Sequence, residues 1–286
     1  MVTEAERYQQ VRQLAIAELR RHGLSVHPAP EDAPGNDRLV DQNGFQHWLS
    51  NLQLTCTQLP AAEWPGAVEY HFAQYFAART EPPTPELSET ELLAQVRTRL
   101  QRRDTSGKVP LSYARPAFDG LVAELNRDLP TTVRTMPDGD LVGRDVEFLY
   151  QVGQRNTDAE PFDIQRLQYD IAAITGESFF TASKALNMPH VIQTTLGGSA
   201  PFGVIFGVPH RHLLLLHAVG ADTDVAVGRL ATATVNQTDN APGGVVSADT
   251  YYWYGGLTHR ITRIDLHAKS IEILVDGAFA EAMGRA

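Results

Sequence analysis

The chain has 286 residues and a formal net charge of −10, with 43% apolar and 20% charged residues. This balance argues against wholesale disorder, and an acidic chain repels phosphate backbones, which argues against general nucleic-acid binding. The single cysteine, Cys56, excludes an internal disulfide and a cysteine-based zinc site. The opening residues MVTEAERYQQ lack the basic-then-apolar pattern of a secretion signal, and no apolar run approaches the ~20 residues of a membrane helix. The expectation is a soluble, cytoplasmic protein of two lobes with no membrane partner.

In chain order, Thr3 is expected to cap a first helix, with Glu6 in the capping-box position. Val11, Leu14, Ala15 and Leu19 give that helix its apolar stripe, and Gly23 suits its left-handed stop. Residues 24–59 read as extended, with strands at 24–26, 39–41 and 46–57 and the proline-rich run HPAPEDAPGNDR as a loop. Cys56 sits in the last of these strands as a buried, inert thiol. A helix begins near Trp64-Pro65, and Val68, Phe72, Tyr75 and Phe76 form its buried face. Residues 1–80 thus make an N-terminal α/β lobe.

The run RTEPPTPEL is a stiff linker, because closely spaced prolines hold the chain extended. Ser88 and Glu91 then form a capping box for a helix whose stripe is Leu92, Leu93, Val96 and Leu100. Arg97, Arg99, Arg102 and Arg103 lie at its basic end and make the strongest basic patch in the chain, read as a solvated helix end rather than a phosphate site. Residues 81–104 are therefore a linker and connector helix, and 105–286 an α+β lobe. In that lobe strands are expected at 121–125 and 131–136, a turn at 137–140 and a short helix at 146–152. An amphipathic helix follows through Ile164, Leu167, Ile171 and Ile174 to Gly176. Strands are expected at 178–182 and 190–196 around the Asn187-Met188-Pro189 turn.

Two branched apolar runs, 204–208 and 213–216, flank Pro209-His210-Arg211-His212 and read as a core hairpin with a polar tip. A packed helix over 222–235 and a closing hairpin of 245–254 with 259–267 through Gly255-Gly256 complete the chain. The fold class is α+β: two lobes of mixed or antiparallel sheets covered by helices.

The histidines are the only cluster of chemistry-bearing side chains. On an extended strand His210 and His212 share a face, a possible metal pair needing a third ligand such as His190 or Asp249. The competing reading makes them polar tip residues, and it is preferred. Gly197-Gly198-Ser199 lacks the second glycine of a nucleophile elbow, and Gly243-Gly244 precedes a strand rather than a helix, so no cofactor is called for. Tyr251, Tyr252, Trp253 and Tyr254 fall on both faces of one strand, where aromatics serve either an interface or a doubly covered core.

The succession ESFFTASKAL, FGVIFGVPHRHLLLLHAV and GVVSADTYYWYGGLTHRITRI resembles the C-terminal half of the YtpQ-like family, bacterial proteins with a domain of unknown function. Val208-Pro209-His210 followed at once by an aliphatic strand carries the likeness. The resemblance implies a cytoplasmic α/β protein and supplies no reaction, cofactor or catalytic residue. The leading expectation is a non-enzymatic binding or adaptor protein with a protein partner, using His210, Arg211, His212, Tyr251 and Trp253. The alternatives are a metal-dependent hydrolase built on His210 and His212, and a small-molecule sensor with its pocket between the lobes.

Overall fold

A computed structural model describes residues 4–29, 38–80, 82–103, 111–130, 132–239, 241–265, 268 and 270–286. The expected cap at Thr3, most of the HPAPEDAPGNDR loop and His267 lie outside the described residues. The chain forms two compact units, one of residues 1–81 with 130–132, the other of 82–129 with 133–286.

In the first unit, α1 (Glu4–Arg21) is followed by a three-stranded antiparallel sheet of β1 (Val26–Pro28), β2 (Arg38–Asp41) and β3 (Gln46–Trp48). Then come α2 (Ser50–Thr57) and α3 (Trp64–Thr80). The expected strand over 46–57 is corrected: it stops at Trp48 and the rest is helical. Leu49, Leu52 and Cys56 are all fully buried at helical spacing, whereas the alternation that suggested a strand is imperfect. Cys56 is buried as expected, with its thiol pushed up by that burial. The core joins Val11, Ala15 and Leu19 of α1 to Leu52, Trp64, Val68 and Phe72. The β2–β3 turn is tied by Asp41, whose Oδ1 accepts from the backbone N–H of Asn43 at 2.8 Å and of Phe45 at 3.1 Å. Burial pushes the Asp41 carboxyl up, but these bonds and His47 outweigh it and hold the group below its usual range.

In the second unit, residues 82–87 read as linker pack against the body, with Thr84 buried in a 3-10 turn. The Ser88–Glu91 capping box forms as expected at the start of α4 (Glu89–Gln95). The arginines beyond it are not a helix end: they lie on β4 (Val96–Arg102). Val96, Thr98 and Leu100 alternate into the interior, and seven residues pair with β6. β5 (Arg115–Pro116), β6 (Leu121–Leu129) and β7 (Thr132–Thr135) complete this sheet, in order β4-β6-β5 with β7 also on β6. α5 (Val146–Ala159) packs on it, and Asp145 accepts from Phe148 N–H at 3.0 Å as its N-cap. Lys184, almost fully buried, donates to the Thr157 and Asp158 carbonyls near the end of α5, where the helix dipole favours a cation.

The expected helix through Ile164 and Ile174 is instead β8 (Asp163–Arg166) and β9 (Ala172–Thr175). Tyr169 and Asp170 between them have φ of 57° and 54°, which a right-handed helix does not admit. Ile164 and Leu167 are exposed, while Ile171 to Ile174 are buried without a gap, the mark of a strand covered on both faces. The two strands expected next are a 3-10 stretch (Thr181–Asn187) and α6 (Met188–Leu196). Pro189 fits the first turn of α6, and Gly197, at φ 70°, ends it.

The core hairpin forms as read, with β10 (Val204–His210) and β11 (Leu213–Ala218). α7 (Thr223–Asn236) follows, then β12 (Thr250–Tyr254) and β13 (Leu257–Arg260). β14 (Thr262–Asp265) pairs β15 (Ser270–Ile273), and α8 (Gly277–Met283) comes last. The expected closing hairpin is therefore shorter than 245–267, and β14 leaves it for a separate ribbon. β10 and β11 sit at the centre of a six-stranded antiparallel sheet, order β13-β12-β10-β11-β9-β8. Val204, Phe206, Val208, Leu214 and Leu216 face Leu100, Met188 and Val191 on one side. Ile205, Leu213 and Leu215 face α7 and α8 through Val227, Leu230 and Phe279 on the other. The fold is α+β, with a central antiparallel sheet covered on both faces.

Candidate functional site

The polar tip expected between the two apolar runs is present at the end of β10. Register shifts between Gly207 and His210, so the tip residues leave the regular ladder. His212 is held at both ring nitrogens: Arg211 Nε–H donates to Nε2 at 2.9 Å, and Nδ1 lies 3.0 Å from the Gly176 carbonyl. An N–H donor facing Nε2 requires that nitrogen bare, so the proton sits on Nδ1 and is donated to Gly176. Burial, and then the Arg211 charge, hold His212 below its ordinary value, which favours this neutral form. His210 is 8% exposed and accepts from His212 N–H at Nδ1 (3.3 Å). Burial and His212 hold it down in turn.

In this arrangement the two imidazoles do not converge on a common point. The ring centroids of His210 and His212 are 6.3 Å apart, tilted at 55°, and both nitrogens of His212 and Nδ1 of His210 are engaged in protein hydrogen bonds. Asp249, the other suggested ligand, accepts from Thr262 Oγ1 at 3.1 Å and lies 3.7 Å from Arg260. His190 is half-exposed on α6. Among the described residues no three His, Cys, Asp or Glu side chains are grouped to hold a metal ion.

The four aromatics of β12 separate into three environments. Tyr251 and Tyr252 are fully buried on opposite faces of the sheet. Tyr251 Oη donates to the Asp119 carbonyl at 3.1 Å and receives Ser247 Oγ–H at 2.8 Å. Its ring stacks on Phe206, so Tyr251 is a core residue rather than a contact surface. Tyr254 is 42% exposed at the end of the strand. Trp253 is half-buried and lines a cleft of about 420 Å³ whose walls include Phe118, Arg115, Tyr150, Gln151 and Gln154.

The cleft lies within the second unit, not between lobes, where α5, β5 and the β12–β13 hairpin meet. Its size is that of a small-molecule site, for which about 300–1,000 Å³ is usual. Arg115 stacks 3.7 Å over the Tyr150 ring and pairs with Glu147 at 2.8 Å, so the wall carries both charges in balance. Tyr150 Oη donates to the Ala123 carbonyl at 2.8 Å, and burial raises its phenol above the ordinary value. Gln154 is occupied by Thr98 and Asp158, at 2.6 and 2.7 Å. The exposed Gln151 amide has no protein partner among the described residues.

Of the expected binding residues, the structure brings His210, Arg211 and His212 together, places Trp253 in the cleft and buries Tyr251. Phe118, Tyr150 and Gln151 were not singled out from sequence, because they meet Trp253 only across separate elements. No known family model matches the chain, and no significant match to a curated protein or a solved structure was found.

Proposed function

We propose that the chain is a non-enzymatic binding protein whose second unit holds a small molecule in the cleft beside Trp253. One observation carries this reading: with Tyr251 and Tyr252 committed to the core, Trp253 turns its ring into a cleft of ligand size. The apolar wall of Trp253 and Phe118 suits a flat apolar group, and Gln151 supplies an amide to read a polar one. The balanced Arg115–Glu147 pair favours a neutral or zwitterionic ligand. Screening a metabolite panel by thermal shift tests this, since binding at about 100 times Kd stabilises the folded state by about 2.7 kcal/mol. The shift should disappear in Trp253→Ala and persist in Tyr70→Ser, at a position 68% exposed in the first unit. A hit that stabilises Trp253→Ala as much as the parent would sink the reading.

A second reading, an adaptor for a protein partner, has its own support. Tyr254 and Leu257 are register partners on β12 and β13, 42% and 67% exposed, at the edge of the six-stranded sheet. Leu257→Lys should then release a partner co-purified with the parent, by native mass measurement. Finding only free monomer in the parent removes this option. A cytoplasmic setting and the likeness to the YtpQ-like family belong to the same proposal. The likeness is supported by the Val208-Pro209-His210 hairpin, and the setting follows from the likeness.

A further inference from the structure

Arg211 is held in place as few surface arginines are. Its Nε is spent on His212, which is itself anchored to the Gly176 carbonyl. One side of its guanidinium lies 4.1 Å over the Phe179 ring. Gly243 approaches so closely that a Cβ there would sit 2.5 Å from Nη1 and 2.6 Å from Cζ. Ring, histidine and glycine backbone thus fix the plane and direction of the fork, leaving the Nη1 and Nη2 edge. Among the described residues neither of those nitrogens has a hydrogen-bond partner, and no carboxylate lies within ion-pair reach of Arg211. The residue is half-buried, and neither nitrogen is among the unpartnered side-chain atoms sealed from solvent.

A second cation stands nearby: Leu100 N–H donates to Ser183 Oγ at 2.9 Å and Ala182 N–H to the Arg211 carbonyl at 3.0 Å, so the 3-10 stretch ties β4 at Arg99 to the hairpin tip. Arg99 of β4 is gripped at Nε and Nη1 by the Gln101 side-chain oxygen, at 3.0 and 3.1 Å once that amide is oriented to receive them. Burial and the Arg99 charge pull Arg211 down to about 10, and Arg99 also lowers His212. Arg211 therefore stays charged at neutral pH beside a like charge, which is unfavourable for the empty fold. Glu124, the cross-strand partner of Arg99, offsets part of the Arg99 charge. Among the described residues nothing comparable offsets Arg211.

We propose that Arg211, with Arg99 beside it, forms a binding site for a small oxyanion, a phosphate or carboxylate group, taken end-on by the two Nη nitrogens of Arg211. Two parallel N–H donors match two oxygens of such a group, and an oxyanion also relieves the repulsion between the guanidinia. His212 is a positioning residue here, since it acts through Arg211 Nε. The site is separate from the cleft, and its test is independent of the cleft ligand.

The test is a thermal-shift and calorimetric titration of the full chain with sodium phosphate and, in parallel, sodium succinate, each against sodium chloride at equal ionic strength. A saturable stabilisation by either anion beyond chloride is expected; phosphate alone assigns a phosphate ester, succinate alone a carboxylate. Arg211→Gln should weaken binding about tenfold or more, as loss of a charge-assisted fork does. Arg211→Lys should also weaken it, because the charge remains but the planar fork is lost. Arg229→Gln, at an exposed arginine of α7, should bind as the parent does. If Arg211→Gln does not fold, Arg99→Gln serves, with the same direction expected. No response of the parent to either anion overturns the proposal, as does an undiminished response in a folded Arg211→Gln.

Discussion

Gly207 is where single-atom packing decides most. A Cβ there would overlap Thr234 Oγ1 and sit 3.0 Å from its Cγ2, because β10 and α7 meet with no room for a side chain. Thr234 is itself pinned, its Oγ1 donating to the Leu230 carbonyl at 2.8 Å. Gly207→Ala should therefore cost about 1–3 kcal/mol, the usual range for overpacking. Thr234→Ala in the same chain should return most of that, since it removes the clashing atoms. Denaturant midpoints of the two single variants and the double decide it; additive losses would show that the clash is not the cause. The sequence marks Gly207 only as a glycine in an apolar strand. Its meaning comes from a helix some thirty residues later.

At the level of elements the start of α4 is legible because a cap is a local device. Ser88 N–H donates to Glu91 Oε2 at 2.9 Å and Glu91 N–H to Ser88 Oγ at 3.3 Å, within four residues of chain. Ser88→Ala should cost about 1 kcal/mol, a typical loss for a cap, read as a lower denaturant midpoint at unchanged slope. An unchanged midpoint would mean that tertiary packing alone holds α4. Helix ends were less legible. Val96 and Leu100 fit a helical stripe as well as a strand, and pairing with β6 decided for the strand. That choice carries Arg99 from a presumed solvated helix end to the neighbourhood of Arg211. The reverse error, strands expected where α6 forms, came from reading 190–196 by its branched residues. Burial of Val191, Ile192 and Thr195 at helical spacing against the sheet overrides that preference.

Across the whole molecule the buried histidines set a pH dependence. His210, His212 and His217 are held below their ordinary value of 6.5, each chiefly by burial, as is His71 in the first unit. Below pH 6.5 the unfolded chain binds protons that the folded chain refuses, so stability rises with pH there. The contribution is complete above about pH 6.5 and is lost as pH falls through the depressed folded values. Asp128 and Asp249, raised by burial, act in the opposite direction nearer pH 4. The melting temperature should fall between pH 7 and pH 5, and the fall should be shallower in His217→Asn. A flat or rising profile over that range would contradict the account.

By itself the sequence determined the fold class, the capped start of α4, the central hairpin and its polar tip. Each of these is written within a few residues, as a cap, an apolar alternation or a proline break. Tertiary structure alone decided that Tyr251 is core and Trp253 lines a cleft, because adjacent strand residues face opposite layers and only the covering layers say which is filled. It also decided that His212 spends both ring nitrogens and His210 its Nδ1 on the protein, while Nη1 and Nη2 of Arg211 keep no hydrogen-bond partner among the described residues. That outcome depends on Gly176, Phe179 and Gly243, residues distant along the chain that only folding brings to the hairpin tip.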